Sequence, residues 1–183
     1  YRGDGLNLYS YCANNPIYYV DPSGNVCTPL NEVLKDKINY KNLQEIANNK
    51  AKEYNAKYNP VQRAINKGYL GVKRTSNGGI SFEGIKYIHN INGNETKVVI
   101  NATGNRSDDF DLANSILGFS ETPEDYVWHH LDDYNVKENT LSMELVLKDA
   151  HNASKPHAGS CSQYDAVHGP NYNPPRKTKK GDK

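Results

Sequence analysis

The feature that most constrains the fold is an alternating segment, LSMELVLK, at residues 141–148. Its odd-numbered positions are apolar and its even-numbered positions are mainly polar, a period of two that is typical of a β-strand with one buried face. The segment before it, DYVWHHL at residues 125–131, predicts a partner strand, and residues 132–140 predict the connecting loop. The only tryptophan, Trp128, is expected to anchor this hairpin in the core.

A short helix is predicted directly after the second strand. Asp149 is of a residue type that caps helix N-termini, His151 would then lie in the first turns, and Pro156 must end the helix. This order of strand, loop, strand and helix puts histidines at the end of the first strand and in the helix. Because a hairpin sets its strand ends side by side and the helix can fold back across it, we expect His151 to approach His129 and His130.

Histidine is concentrated in this part of the chain, where four of the six lie within 29 residues, at His129, His130, His151 and His157. Neutral imidazole is both the commonest metal ligand and a natural general base near neutral pH. One histidine can therefore hold a divalent metal ion while a neighbour activates water. Adjacent strand residues point to opposite faces, so we expect the pleat to relax at the strand end and let His129 and His130 converge on one centre.

A closed structural zinc site made by the four histidines is the alternative from another functional class. Structural zinc prefers sets that include cysteine at tight spacing. The three cysteines, Cys12, Cys27 and Cys161, form no CxxC pair, which predicts neither a disulfide framework nor a zinc ribbon. The two remaining histidines, His89 and His168, are interpreted as structural or solvated.

The region before the histidines predicts helices followed by short strands. Apolar residues spaced three and four apart predict helical segments over residues 30–57, and Pro60 ends this run. Gly and Asn punctuate short strand-like pieces over residues 68–103, where Asn92-Gly93 is a typical hairpin turn.

A further helix is predicted between these pieces and the histidine hairpin. It covers residues 107–118, with Ser107 as the N-cap and Gly118 as the C-terminal stop. Asp109 and Asp111 are interpreted as acids in the first turn, where their negative charges interact favourably with the positive end of the helix dipole.

The composition predicts a modest core with polar linkers or tails, since hydrophobic residues make up 36% and the mean hydropathy is -0.84. The net charge of +1 argues against a uniformly basic nucleic-acid coat protein. Charge is uneven, because residues 106–139 are acidic, with Asp132 and Asp133 typical of loop solvation, whereas residues 170–183 are basic. Basic surface beside the histidines would have to come from this tail or from a few other cations, Lys73, Arg74, Lys148 and Lys155.

The sequence predicts no membrane segment. No apolar run approaches the length of about 18 residues that a membrane-spanning helix needs. No signal peptide opens the chain, and its first residue is Tyr1, so we expect a fragment or a processed product.

The opening segment, GLNLYSYCANNPIYYVDPSGN at residues 5–25, alternates aromatic and polar residues and ends in a turn signature. It resembles the C-terminal end of the RHS/YD-repeat core at four positions, Pro16, Asp21, Pro22 and Gly24. Asn25 stands where that family usually has Leu. The resemblance implies a β-shell that encloses a variable C-terminal toxin and that, in many members, is cleaved after this motif.

Residues 98–159 resemble the WHH family of HNH/endonuclease VII-type nucleases, which are known as polymorphic-toxin payloads. The matching pieces are TGNRSDDFDLAN, TPEDYVWHHLDD, SMELV and DAHNASKPHAG. The resemblance implies an α+β fold with a ββα-metal (His-Me finger) nuclease core. The family usually has Gln at the position of Glu144, and Asn135 and Asn139 are the loop candidates for the HNH asparagine.

The resemblance also implies a role for each histidine of the group. His130 would be the general base that deprotonates water for attack on a phosphodiester. His129 and His151 would hold one divalent cation, Mg²⁺ in the first place, with Mn²⁺, Zn²⁺ or Ni²⁺ as alternatives. His157 would be a further metal ligand or a phosphate contact.

These observations together predict four regions. Residues 1–25 are expected to be a short β remnant of the RHS core, and residues 26–67 a helical connector. Residues 68–169 are expected to form the WHH/HNH-type nuclease domain, and residues 170–183 a basic tail.

We expect a metal-dependent endonuclease toxin that hydrolyses DNA phosphodiester bonds in competitor cells, carried as the payload of an RHS/YD-repeat protein. The expected partners are DNA, a cognate immunity protein and the RHS-core shell of the parent protein. Delivery from a secreted or cell-surface protein would place the toxin in the cytoplasm of the target cell. The alternatives are an RNase with the same finger, a non-catalytic zinc-stabilised binding module and a degenerate payload.

Overall fold

The computed structural model describes residues 39–170 and 172, together with the backbone of two short strands nearer the N-terminus. The RHS motif and cleavage position at residues 21–25 lie outside the described residues. The same holds for the helical pattern over residues 30–38 and for all of the basic tail except Pro170 and Tyr172.

The chain divides into two compact units, Tyr1–Asn39 and Tyr40–Lys183. In the first unit, β1 (Tyr19–Val20) and β2 (Thr28–Pro29) pair antiparallel. All elements described below belong to the second unit.

A three-stranded antiparallel sheet forms the centre of the second unit. Its strands are β7 (Lys97–Asn101), β8 (Tyr126–His130) and β9 (Thr140–Leu147), in the order β7-β9-β8. The ladder between β8 and β9 runs from the pair Tyr126 and Leu147 to the pair His130 and Met143. The predicted hairpin of two long strands is therefore present, and an additional strand, β7, flanks it.

The prediction that the alternating segment has one buried face is wrong, because β9 is the central strand and is buried on both faces. Met143 and Leu145 belong to one hydrophobic core together with Trp128. Val146 belongs to a second core together with Phe82. The polar residues at alternate positions were expected to face water, but a layer from the preceding part of the chain covers them.

That layer includes the first of two small hairpins, whose Ile80 belongs to the second core. The first pairs β3 (Lys73–Arg74) with β4 (Ile80–Ser81), and the second pairs β5 (Asn90–Ile91) with β6 (Asn94–Glu95). The predicted turn of the second hairpin is confirmed: Asn92 and Gly93 both have positive φ, 52° and 84°. Two such residues in succession are what a two-residue hairpin turn with the twist of the flanking strands requires.

Within the described residues of the second unit, five helices surround the sheet: α1 (Tyr40–Tyr58), α2 (Pro60–Asn66), α3 (Arg106–Leu117), α4 (Lys148–Ser154) and α5 (Ser160–His168). Helix α1 packs against α5, α2 packs against α4, and α3 packs against β7. Although α1 and α2 fall within the predicted connector, they share a compact unit with the hairpin of β8 and β9. Among the described residues, no helix is long and apolar enough to cross a membrane.

The helix boundaries differ from the predicted ones at the N-terminal ends. Asn105, not Ser107, caps α3, and its side chain accepts a hydrogen bond from the Ser107 backbone N–H. Helix α4 already begins at Lys148, so Asp149 lies in its first turn and is not the cap. The predicted C-terminal stop at Gly118 is confirmed, with φ of 72°.

Pro60 follows the end of the preceding helix, and it also occupies the first turn of α2. A proline is tolerated there since its missing N–H would have no partner within the helix.

Candidate functional site

Three histidines from two separate parts of the fold meet beside the end of β8. His129 is the fourth residue of that strand, His151 lies in α4, and His157 lies between α4 and α5. One ring nitrogen of each lies within 4.8 Å of the others, and among the described residues this is the one group of its kind. The ring centroids are 4.9 to 5.2 Å apart.

The ring of His129 is held in one orientation and one tautomer. Its Nε2–H donates to the carbonyl oxygen of Ile80 at 2.9 Å, and the edge of the ring meets Phe82. Nδ1 therefore carries the free lone pair, and this nitrogen is buried without a hydrogen-bond partner. A buried polar atom without a partner is costly unless something binds it, and a metal ion is the species that a neutral imidazole nitrogen binds best.

Ser154 orients His157 in a similar way. Its hydroxyl donates to the carbonyl oxygen of His151 at 2.7 Å, which uses its only proton. The 3.2 Å contact between Ser154 Oγ and His157 Nδ1 is therefore donated by the histidine, which leaves Nε2 of His157 as the free nitrogen. Hydrogen bonds of this kind to the second ring nitrogen commonly orient metal-binding histidines.

The segment that carries His157 is not helical, because it follows the end of α4 at Ser154. Its position is set by Asn55 of α1, which donates to the Ala158 carbonyl at 2.9 Å and accepts from the Ala158 N–H at 2.8 Å. On its other side, the Ser160 N–H donates to the Leu131 carbonyl at 2.6 Å. The loop is thus fixed between α1 and the residue that follows β8.

The three clustered histidines are held in their neutral form. Burial lowers the pKa of His129 to about 4, and the charge of the neighbouring His130 contributes in the same direction. Burial and the neighbouring His129 lower the pKa of His151, and burial together with His129 lowers that of His157. Near neutral pH all three rings therefore offer lone pairs.

His130 has a different environment, although it is the next residue along the strand. Its Nε2 lies 2.8 Å from Oδ2 of Asp109, a fully buried carboxylate in the first turn of α3. Burial lowers the pKa of His130, but the nearby Cys161 thiol and the Asp109 carboxylate outweigh it and raise the pKa to about 9. Burial raises the pKa of Asp109, and hydrogen bonds from His130, Thr103 and Tyr172 outweigh it and hold this pKa below its usual value.

The expected relaxation of the pleat at the strand end is not what brings the two adjacent histidines together. The ladder continues through His130 and on to the Leu131 N–H, which donates to the Ser142 carbonyl at 3.0 Å. His129 and His130 bond to different partners, the Ile80 carbonyl and Asp109. Both nevertheless line one cleft of about 380 Å³.

The rim of this cleft is cationic. Arg106 and Lys155 line it, and no Asp or Glu is among the described residues that do so. Burial and the nearby Arg106 guanidinium lower the pKa of Lys155. Of the cations considered from the sequence, Lys73, Arg74 and Lys148 are exposed but do not line the cleft.

The loop asparagines that were candidates for the HNH position hold the hairpin loop together. Asn135 Oδ1 accepts from the N–H groups of Lys137 and Glu138, each at 3.0 Å. Asn139 donates to the Ala102 carbonyl at 3.1 Å and accepts from the Tyr134 hydroxyl at 2.9 Å. Neither lines the cleft.

The interpretation of the loop aspartates is half right. Asp133 is exposed, but Asp132 is buried and accepts from the Thr75 hydroxyl at 2.5 Å and from the Gly79 N–H at 3.0 Å. Glu144 has a comparable role, since it is fully buried and accepts from the Ser81 hydroxyl and the Phe82 N–H. These carboxylates attach the segment around the first small hairpin to the sheet, and this segment supplies the Ile80 carbonyl that orients His129.

The remaining residues singled out in the sequence have structural contacts. Trp128 is buried and donates to Asn114 Oδ1 at 2.8 Å, which confirms its role as an anchor. His89 lies 2.9 Å from the Thr96 hydroxyl and His168 lies 2.9 Å from that of Tyr134, and neither lines the cleft.

Sequence reasoning missed several residues that build the site, namely Asn55, Ile80, Arg106, Asp109 as a partner of His130, Ser154 and Tyr172. A signal existed for Asp109. It lies four residues before Ala113, which is buried on the same side of α3, so the carboxylate occupies the buried face of the helix. An acid on that face needs a partner.

His129, His151 and His157 form a group that could hold a metal ion, and three protein ligands would leave a further coordination position open. Residues 118–166 match the family model WHH, described as a nuclease of the HNH/ENDO VII superfamily with conserved WHH. A WHH nuclease domain therefore lies at these residues, about a quarter of the chain, and nuclease activity is what it implies. No curated protein and no solved structure matches the chain.

Proposed function

We propose that this protein is a metal-dependent endonuclease that hydrolyses phosphodiester bonds of DNA. The observation that carries the proposal is the division of four histidines within one cleft. Three neutral histidines converge, while the fourth is bonded to a carboxylate and stays outside the cluster. Hydrolysis by an activated water requires a group that stabilises negative charge on the phosphate and a separate group that accepts the proton of the water. A divalent cation held by the three histidines would be the first, and the fourth histidine would be the second.

His129, His151 and His157 would hold one divalent cation. Their fit to such an ion rests on the partnerless Nδ1 of His129 and on the hydrogen bond that frees Nε2 of His157. A cation held there supplies positive charge that stabilises the phosphate oxygens in the transition state. Imidazole suits Zn²⁺ and Ni²⁺ better than Mg²⁺, so the predicted Mg²⁺ has to be compared directly with the other three ions.

His130 would accept the proton of the attacking water. It lines the cleft but does not belong to the cluster, so it remains available for proton transfer. Its pKa of about 9 means that the metal-free protein holds this ring protonated at neutral pH. A divalent cation held by the neighbouring histidines would lower the pKa of His130 through its positive charge. This would favour the neutral ring that a general base needs.

Arg106 and Lys155 support a phosphodiester as the substrate. Both line the cleft that holds the histidines, and neither forms an ion pair with a carboxylate among the described residues. Two cations without such partners beside a metal-binding cluster suit a ligand with negative charge, and the nucleic-acid backbone is such a ligand.

The biological setting proposed for this nuclease is that of a toxin. The resemblance of residues 5–25 to the end of an RHS/YD-repeat core supports it, since such cores enclose C-terminal toxins. A cognate immunity protein would then protect the producing cell. Delivery from a secreted or surface protein would bring the nuclease into the cytoplasm of a competitor.

The proposal is tested with plasmid DNA and total RNA, each incubated with the full chain and Mg²⁺, Mn²⁺, Zn²⁺, Ni²⁺ or EDTA. We expect nicking and linearisation of the plasmid that requires metal and is lost in His130→Ala. His89→Ala is the matched control, since His89 lies outside the cleft, and it should cut like the wild type. Tight metal binding without cleavage of either nucleic acid would favour the zinc-stabilised module, and cleavage of RNA alone would favour the RNase.

A further inference from the structure

We propose that Asp109 is a positioning residue for His130, so that the working site extends beyond the matched segment to α3 and to Tyr172. This inference rests on the proposed nuclease function and on the role of His130 as its base. Asp109 and Tyr172 both lie outside residues 118–166, the part of the chain that matches the nuclease family.

Four donors converge on the Asp109 carboxylate. Oδ2 accepts from His130 Nε2 at 2.8 Å and from the Tyr172 hydroxyl at 2.7 Å. Oδ1 accepts from the Thr103 N–H at 3.1 Å and from the Thr103 hydroxyl at 2.7 Å. With a side chain fully shielded from solvent and both oxygens engaged, the carboxylate has one orientation.

This geometry determines which nitrogen of His130 is available for proton transfer. A carboxylate only accepts hydrogen bonds, so Nε2 of His130 must carry a proton toward Asp109. The other ring nitrogen, Nδ1, is then the atom that can accept a proton. Two aromatic neighbours limit the rotation of the ring: Phe110 is tilted by 33° and Tyr172 is nearly perpendicular, with ring centroids 5.8 and 6.0 Å from that of His130.

An amide cannot replace this carboxylate. In Asp109→Asn, one of the two oxygens becomes an NH₂ group, which would face either the Thr103 donors or the donors from His130 and Tyr172. With the NH₂ group toward Thr103, the backbone N–H of Thr103 loses its acceptor. With the NH₂ group toward His130, Nε2 must accept, so the neutral ring carries its proton on Nδ1 and loses the acceptor that the base needs. The substitution preserves the volume of the side chain and removes its function as a double acceptor.

The first test separates turnover from binding. In Asp109→Asn we expect kcat for plasmid cleavage to fall by at least about tenfold, while KM and the affinity for metal measured by calorimetry stay within about twofold. Asp108→Asn is the matched control, because Asp108 is also in the first turn of α3 but is exposed. Equal kcat values for Asp109→Asn and the wild type would overturn the inference.

The second test asks whether Asp109 acts through His130. If it does, the residual cleavage by His130→Ala, measured at high enzyme concentration, should be no slower in the double variant Asp109→Asn/His130→Ala. A further loss in the double variant would show that Asp109 acts independently of His130, contrary to the inference. Should Asp109→Asn fail to fold, Thr103→Val removes one donor at an exposed position, and we expect it to lower kcat by a smaller factor. An unchanged kcat in Thr103→Val would then overturn the inference.

The third test does not depend on activity. In ¹H–¹⁵N spectra, the Nε2 proton of His130 should give a downfield, slowly exchanging signal in the wild type and in Asp108→Asn. This signal should disappear in Asp109→Asn, and its persistence there would overturn the inference. A wild type that cuts no nucleic acid would overturn both the proposed function and the positioning role. If the wild type cuts nucleic acid and Asp109→Asn cuts it equally fast, only the positioning role is overturned.

Discussion

The pKa values of two adjacent histidines, His129 and His130, are shifted in opposite directions because the two sides of β8 are different. One side presents other imidazoles and a backbone carbonyl, and burial there lowers the pKa of His129 to about 4. The other side presents the carboxylate of Asp109, and the pKa of His130 is raised to about 9. Groups of one chemical type whose environments separate their pKa values can take different roles in one reaction.

The histidine cluster predicts that the metal-free protein loses stability in mild acid. The folded-state pKa values of His129, His151 and His157 are lowered, so below about pH 6.5 the unfolded chain binds more protons than the folded one. Each of the three then costs up to about 1.4 kcal/mol of unfolding free energy per pH unit. Urea unfolding in EDTA between pH 7 and 4.5 measures this slope.

His130 makes the stability depend on pH in the opposite direction. Its raised pKa gives stability that is complete below about pH 6.5 and is lost as the pH rises through about 9. The unfolding free energy should therefore be highest near neutral pH. In His151→Gln the acid slope should be shallower than in the wild type. Equal slopes for the two proteins would contradict the assignment of lowered pKa values to the cluster.

At the scale of the elements, the segment between α4 and α5 is the least tolerant connection of the site. It carries His157, and Asn55 and the residue after β8 hold it from two sides. A Cβ placed on Gly159 would lie only 2.4 Å from the carbonyl oxygen of His130. This close approach requires glycine. The backbone conformation does not, because the φ of Gly159, -122°, is open to any residue.

We expect Gly159→Ala to lower the unfolding free energy by about 1–3 kcal/mol, because the clash must shift the backbone. The shift should move His157 and weaken metal binding by calorimetry. Gly93→Ala is a suitable control, since it strains a positive φ in a turn that does not line the cleft. It should cost stability and leave metal affinity unchanged, and a Gly159→Ala protein with wild-type metal affinity would contradict the expectation.

At the scale of the whole molecule, the site is assembled from distant parts of the chain. Asn55 of α1 positions the loop of His157, Ile80 orients His129, and Tyr172 contacts Asp109 near the other end of the described chain. The matched segment alone holds the histidines but lacks these supports. Formation of the site and folding of the unit are therefore coupled.

This coupling predicts that metal stabilises the whole unit. A ligand that binds only the folded state at a concentration 100-fold above its Kd adds about 2.7 kcal/mol, which corresponds to a rise in Tm of about 5–10 °C for a chain of this size. Thermal unfolding with and without metal, after removal of bound ions by EDTA, measures the shift. His151→Ala should abolish the shift and His89→Ala should keep it. A full shift in His151→Ala would place the stabilising ion elsewhere.

The sequence alone determined the local structure around the histidines. Alternation predicted the pair of strands that became β8 and β9, Asn92-Gly93 predicted a hairpin turn, and Gly118 predicted the end of α3. It also marked the histidines that the structure brings together. These features depend on periodicity and on backbone preference within a few residues, so they can be read along the chain.

Only the tertiary structure decided which face of each element is covered and which side chains meet. β7 pairs with β9 on the side opposite β8, and Ile80, Phe82 and Ile88 cover one face of the sheet, which turned an expected solvent face into a second core. Asp109 became the partner of His130 from 21 residues away, and Asn55 holds a loop 103 residues further along. The physical reason is that local preference sets the conformation of a segment, whereas the pairing of buried polar groups depends on how segments pack. His129 and His130 were adjacent in the sequence, but packing determined that one faces the cluster and the other faces a carboxylate.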